Sequence, residues 1–394
     1  MSPKSMFCSH AKAPLRVPVE EGEMTGTTRG LKGGLGKVSR RKFVAGASAI
    51  GLGLGVSPFI SRRAAAAGEV KVLNWQGYGT DEKWALEAFK AATGLDVVHE
   101  YYNSESEMIT KLQTNPGVYD VIVTNCAWNG RASELGVIQP IDTAQISNFA
   151  DLNPAFRDSS LLNVDGKNYG VAWVWGITAV AYSTDVFKEA PESLEVLWDA
   201  KNAKRVALRD DAIEAVGFAA MATGQDMNNP ADLEKVKAKL IALKPNIALL
   251  WSSEDEWNKQ FQAKAFDLSI YWSGSAFRSK NSFNLPVGYV VPKEGAVGWF
   301  DGLAIGKDAP NAEGAHKFIN YMIDPAYYIK WAEVGPPASA NNKAMAALPD
   351  TDASKAFYLD QENVKRLQFM APISDENRQK YSDLWAEVKT EYAK

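Results

Sequence analysis

The chain has 394 residues, with 43 Lys and Arg against 47 Asp and Glu, a formal net charge of −4, and two cysteines. That length supports two folded units with cores of their own. The acidic balance argues against nucleic acid or an anionic membrane surface as partner, and two cysteines cannot form a disulfide scaffold.

Residues 1–67 read as a leader. A polar opening without apolar periodicity reaches Ser39-Arg40-Arg41-Lys42-Phe43-Val44-Ala45, then a Gly/Ala-rich apolar stretch, then Ser61-Arg62-Arg63 and four alanines. Paired arginines, a weakly hydrophobic core and an Ala-x-Ala end make an export signal. The apolar stretch is short for a membrane span, which needs about 20 residues, and it carries Ser48, Ser57 and Pro58. The segment resembles the twin-arginine export signal, with Ala45 where that pattern prefers Lys. Cleavage is expected near Gly68, and Met24 offers a later start than Met1. Removal of the leader takes 11 basic and 3 acidic residues, leaving a net charge of −12 on Gly68–Lys394. Cys8 leaves with it, so Cys126 has no intramolecular partner.

After the leader, strands and helices alternate. Strands are expected at Val70–Trp75, Leu95–Tyr101 and Tyr119–Asn125, with helices at Asp81–Ala92 and Glu105–Thr114. Trp84, Ala88, Phe89 and Ala92 share one face of the first helix; Thr80 is its N-cap candidate, and Gly94 follows its end. Such alternation predicts a parallel sheet covered by helices, with a ligand crevice beyond the carboxyl ends of the strands. Past Tyr169–Gly176, a second set follows. Strands are expected at Arg205–Leu208, Asp267–Trp272 and Trp299–Ile305, and helices at Asp211–Thr223, Leu233–Leu243, Glu254–Ala263, Glu313–Ile323, Tyr327–Val334 and Asn377–Tyr392. No flexible Gly/Ser linker separates the two sets, so strands are expected to join the lobes.

Motifs for chemistry are sparse. No Cys/His or acidic-loop spacing suggests a metal. There is neither a phosphate-cradling Gly-rich loop nor a Ser elbow, and no cofactor is expected. Asp211 and Glu214, three apart at a helix start, are the one pair a hydrolase could use, although acids there also suit the helix dipole. What accumulates at strand ends is aromatic rings and acids: Trp75 and Tyr78, Trp272, and Trp299 with Asp301. In a strand Trp299 and Asp301 point to one side, giving a π-face and a carboxylate together, the two groups that hold an organic cation.

Six short pieces carry a family resemblance. They are Asn74-Trp75-Gln76-Gly77-Tyr78, Tyr119-Asp120-Val121-Ile122-Val123, Trp175-Gly176-Ile177-Thr178-Ala179, Asp210-Asp211-Ala212-Ile213-Glu214, Trp272-Ser273-Gly274-Ser275-Ala276-Phe277, and Pro292-Lys293-Glu294-Gly295 through Ile305. In this order and spacing the chain resembles the periplasmic polyamine-binding receptors of ABC importers, among the extracellular solute-binding proteins. The resemblance implies an α/β, two-lobed periplasmic binding protein fold of type II, each lobe a sheet flanked by helices, with the ligand in the interlobe cleft. The expected division is 68–172 for the first part of lobe 1, 173–300 for lobe 2, 301–345 for the return to lobe 1, and 346–394 for a C-terminal helical segment on lobe 2. It also implies a site in which Trp75, Tyr78, Trp272 and Trp299 wall the methylene chain, while Asp211, Glu214 and Asp301 take ammonium groups. Gln368 and Ser252 match further polar contacts, and Gln76 and Asn125 are candidates for a less cationic end.

Four positions depart from that pattern. Gly77 stands where an acid is usual, Asn125 and Ala127 where a Ser and a Tyr are usual, and Pro336 where a Tyr is usual. The reading is therefore a monomeric, non-catalytic receptor for a polyamine or related amine, delivering it to an inner-membrane permease. The alternatives are an opine, amino-acid derivative or betaine-like ligand, or an extracytoplasmic enzyme using Asp211 and Glu214.

Overall fold

The computed structural model describes residues 68–349 and 353–394; the leader expected at 1–67 lies outside the described residues. The first lobe opens with β1 (Glu69–Asn74), α1 (Lys83–Thr93), β2 (Asp96–Tyr101), α2 (Glu105–Thr114), β3 (Val121–Asn125) and α3 (Cys126–Glu134). β1 pairs in parallel with both β2 and β3, as βαβ crossovers require. Gly94 ends α1 in the left-handed conformation, φ 74°, as expected. Thr80 does not cap it. The helix starts later, after Glu82, and the buried Thr80 hydroxyl is engaged by Asn74 Nδ2 at 2.8 Å and His99 Nε2 at 3.1 Å.

The second lobe contains β5 (Val206–Arg209), α4 (Ala212–Ala222), α5 (Leu233–Ala242), β6 (Ile247–Trp251), α6 (Glu254–Gln262), β7 (Leu268–Trp272) and α7 (Ser273–Asn281). β5 is parallel to both β6 and β7. Two long strands run between the lobes: β4 (Val171–Ser183), which precedes this set, and β9 (Ala296–Gly306), which follows it beyond β8 (Val287–Val290). They pair antiparallel with each other. β9 also pairs with β3 through Asp301–Ile305, while β4 pairs with β7 through Thr178–Tyr182. The main strand order is β2-β1-β3-β9-β4-β7-β5-β6, a single sheet whose two ends belong to different lobes. Residues 172/173 and 300/301 both fall inside these two strands.

Helices α8 (Ala312–Met322) and α9 (Pro325–Trp331) return to the first lobe, where Phe318, Ile319 and Met322 join Val70, Val72 and Phe89 in its core. A short strand, β10 (Leu367–Phe369), pairs with the start of β9. The last helix, α10 (Asp375–Ala393), buries Tyr381, Leu384, Trp385 and Val388 against Val216, Phe218 and Leu240 of the second lobe. Those positions fall three or four apart, the spacing of one helical face. No described helix is long and apolar enough to cross a membrane.

Candidate functional site

Trp299 and Asp301 lie on β9, one of the two strands that run between the lobes. Trp299 sits opposite Gly176 of β4, and its indole lies directly over that residue: a Cβ there would come within 2.3 Å of the ring. Its Nε1 donates to Thr178 Oγ1 at 3.1 Å. Phe300, between the two, turns the other way into the core beside Phe156. Asp301 is opposite Asn125, with a β-bulge immediately after it, a device that re-aims side chains next to sites.

Asp301 is buried, 7 % exposed, yet the two side chains that hydrogen-bond its carboxylate are neutral. Tyr78 Oη donates to Oδ2 at 2.7 Å and Asn125 Nδ2 donates to Oδ1 at 2.9 Å. Among the described residues it has no ion-pair partner. Burial pushes its pKa up to about 7; the two hydrogen bonds pull it down, and the charge of Glu105 adds to the rise. Asn125 is held in place because its Oδ1 caps α3, accepting from Ala127 N at 3.0 Å. Tyr78 is held edge-on against Trp173, 5.5 Å between centroids, and Trp173 stacks on Trp331.

A second cluster of charged groups stands in the second lobe, at the end of β5 and the start of α4. Asp211 is the N-cap of α4, its Oδ1 accepting from Ile213 N and Glu214 N at 3.0 Å each. Glu214, one turn in, accepts from Trp272 Nε1 at 3.1 Å and from Arg209 Nη1 at 2.7 Å. Arg209 is also 3.8 Å from Asp211 and lies over the Trp272 ring at 4.7 Å. Burial raises the pKa of Glu214, partly offset by Arg209. Burial works against the charge of Arg209, but Glu214 and Asp211 outweigh it and hold the guanidinium above its ordinary value.

Sequence reasoning missed three charged residues here. Arg209 closes β5, the same strand-end position that singled out the aromatic residues. Glu105 opens α2 on the first lobe; its carboxyl is raised by burial and feels Asp211, Arg209 and Arg378. Arg378, in the first turns of α10, lies 4.0 Å over the Trp128 ring and is lowered by its burial.

The expected site residues divide into two groups. Tyr78, Asn125 and Asp301 form one bonded cluster, and Glu214, Asp211 and Trp272 another. Trp75 stands at the end of β1, its ring 4.5 Å from that of Tyr102. Gln76 is exposed on the turn before Gly77. Ser252 is exposed and donates to Glu256 Oε2 at 2.9 Å, within the capping arrangement that opens α6. Gln368 Oε1 accepts from Met227 N at 3.0 Å, anchoring β10 to the second lobe. Neither of these last two joins a cluster.

Two α/β lobes strung on shared strands, with a cluster of rings and carboxylates on each, are the architecture of a two-lobed solute receptor. The bacterial extracellular solute-binding protein family matches residues 84–357, and the chain belongs to that family. The chain is 31 % identical over 338 residues to a spermidine/putrescine-binding periplasmic protein of Escherichia coli, covering 84 % of this chain and 92 % of that one. It is 29 % identical over 345 residues to the protein of the same name in Salmonella typhimurium, covering 86 % and 95 %. In three dimensions it is similar to a spermidine/putrescine ABC transporter substrate-binding protein of Streptococcus pneumoniae, with TM-score 0.73, 27 % identity, and coverage of 82 % and 99 %. It is thus a solute-binding component of a transporter, acting outside the cytoplasm and serving a membrane permease.

Proposed function

We propose that the chain captures an amine-bearing solute, a polyamine or a smaller relative, in the cleft between its lobes and delivers it to an inner-membrane ABC permease. The observation that carries this reading is Asp301. It is a buried carboxylate on a strand between the lobes, oriented by two neutral donors and without an ion-pair partner among the described residues. An ammonium supplies that charge, while Trp299 and Trp272 offer faces to the adjoining carbons. The relatives' names support the same class of ligand. Ligand-binding roles for Trp75, Tyr78, Asn125, Asp211 and Glu214 belong to this proposal, as does the division of lobes at 172/173, 300/301 and 345/346. So do monomeric action in the periplasm and export by the twin-arginine route, which the pattern at residues 39–67 supports.

Denaturing protein purified from its native host and identifying the released molecule by mass spectrometry tests the class of ligand. Asp301→Asn tests the site: amine affinity should fall by about 2–5 kcal/mol, the range for removing one partner of a buried charge pair. Unchanged affinity in calorimetry refutes the role of Asp301. The hydrolase alternative finds little support in the geometry, because Asp211 is occupied in capping α4 and Glu214 is paired with Arg209.

A further inference from the structure

Arg209 changes the charge of the second lobe's wall. Asp211 and Glu214 alone would present two negative charges to the cleft, a place for a second ammonium. The guanidinium already takes that place: it donates to Glu214 at 2.7 Å, stands 3.8 Å from Asp211, and is clamped from above by the Trp272 ring at 4.7 Å. This arrangement is built, since the same carboxylate oxygen of Glu214 also accepts from Trp272 Nε1. The side chain of Glu214 is 13 % exposed and that of Arg209 is 28 % exposed, so solvent screens the pair only partly. The guanidinium's charge is also felt by Glu105 on α2 of the first lobe. A second cation, Arg378, acts on the same Glu105, and its Nε is buried without a hydrogen-bond partner among the described residues. Asp301, at the other end, has no such internal cation.

We infer that Arg209 is a specificity-determining residue that occupies the second ammonium position with a tethered cation, so the cleft takes a ligand with one ammonium end and a neutral or anionic far end. The inference rests on the reading of Asp301 as the ammonium subsite and narrows the proposed ligand from polyamines to amines with a single ammonium. A diamine bound there would bring its far charge toward a guanidinium already paired with the acids it needs. A carboxylate at the same far end would instead meet guanidinium donors, which suit it geometrically. Discrimination of this kind depends on a repulsive element as much as on an attractive one.

The experiment compares α,ω-diamines of three to six carbons with ω-amino acids of the same chain lengths. Both series are titrated into the purified protein by calorimetry and thermal shift, in wild type, Arg209→Gln and Asp301→Asn. The best amino acid should bind wild type at least ten-fold more tightly than the best diamine. Arg209→Gln should reverse that order, and Asp301→Asn should weaken binding of both series. A wild-type preference for diamines, stabilisation by neither series, or an unchanged ratio in Arg209→Gln overturns the inference. In each of these cases loss of binding in Asp301→Asn, including binding of the ligand that co-purifies, leaves the ammonium subsite standing. If Asp301→Asn changes nothing, that subsite falls and the inference with it. Should Arg209→Gln fail to fold because Glu214 is left unpaired, the double variant Arg209→Gln/Glu214→Gln removes the pair together, and it must also lose the preference. Arg209→Lys keeps the charge and should keep the preference.

Discussion

At Asp301 the balance of burial and hydrogen bonding can be read in solution as a pH dependence. The carboxyl is raised from 3.8 to about 7, chiefly by burial. Between those values the folded protein holds a proton that the unfolded chain has lost, so stability falls as pH rises through that window. Above about 7 the ligand-free protein carries the whole cost, about 4 kcal/mol for a shift of about 3 units. A bound ammonium supplies the missing charge and returns the carboxyl toward its ordinary range. The thermal shift produced by an amine should therefore grow from pH 5 to pH 7 and level off by pH 8. Binding at pH 6 should release close to one proton. The groups facing Asp301 do not reverse the sign: Tyr78 and Asn125 are neutral donors, and Glu105 is itself raised by burial. A ligand-induced shift that is flat from pH 5 to pH 8, or unaltered by Asp301→Asn, contradicts this account. The acid was visible in the sequence because it shares a strand side with Trp299. The pairing of Arg209 with Glu214 was not, because charges at i and i+5 across a strand end show no partner until the strand and helix are packed. Ser252 and Gln368 were placed only by resemblance, and local capping and strand anchoring claim their side chains.

The connecting strands decide where the rings stand. Trp299 lies over Gly176 because glycine offers no Cβ, and the two residues face each other in register. Gly176→Ala would put a methyl carbon 2.3 Å from the benzo ring, so the indole must tilt away from Thr178 and the cleft. The expected result is a loss of about 1–3 kcal/mol in urea denaturation, typical of forcing a methyl into a packed site. Weaker amine binding and altered tryptophan fluorescence should accompany it. Full affinity with an unshifted spectrum would mean that this ring does not wall the ligand. The strand that carries Gly176 was the main element the sequence concealed. Thirteen residues from Val171 to Ser183 are buried except Tyr182, so the run has no polar alternation to mark it. β6 was missed too, whereas α2 was located at its true ends because Ser104 caps it and its apolar face is periodic. Thr80 misled for the opposite reason: it has the chemistry of a cap, but tertiary contacts with Asn74 and His99 claim it first.

Whether the lobes move as a solute receptor requires can be tested along the edge where α3 meets the segment leading into α10. Cys126 opens α3, fully buried, with Sγ 3.5 Å from the carbonyl of Met370, and burial pushes its thiol up to about 12. That segment is fastened to the second lobe: Asn228 Nδ2 donates to the Phe369 carbonyl at 2.9 Å, and Ala371 N donates to Asn228 Oδ1 at 2.9 Å. Farther along the same edge, Arg131 pairs with Asp375 at 3.0 Å and Arg378 lies over Trp128. Hinge opening about β4 and β9 would part these contacts and expose the thiol. Cys126 is the only cysteine in Gly68–Lys394, so a thiol reagent reports this one edge. Labelling at pH 8 should be slow with ligand bound and at least ten-fold faster without it. The Arg131–Asp375 pair is too exposed to govern this difference, with side chains 43 % and 77 % accessible, because such pairs contribute roughly 0–1 kcal/mol. Asp375→Ala should then change the ratio only a few-fold, whereas Trp128→Ala, which removes a partly buried ring from under a guanidinium, should raise the ligand-free rate further. Equal rates with and without ligand would place Cys126 in a static part of the molecule and refute opening along this edge.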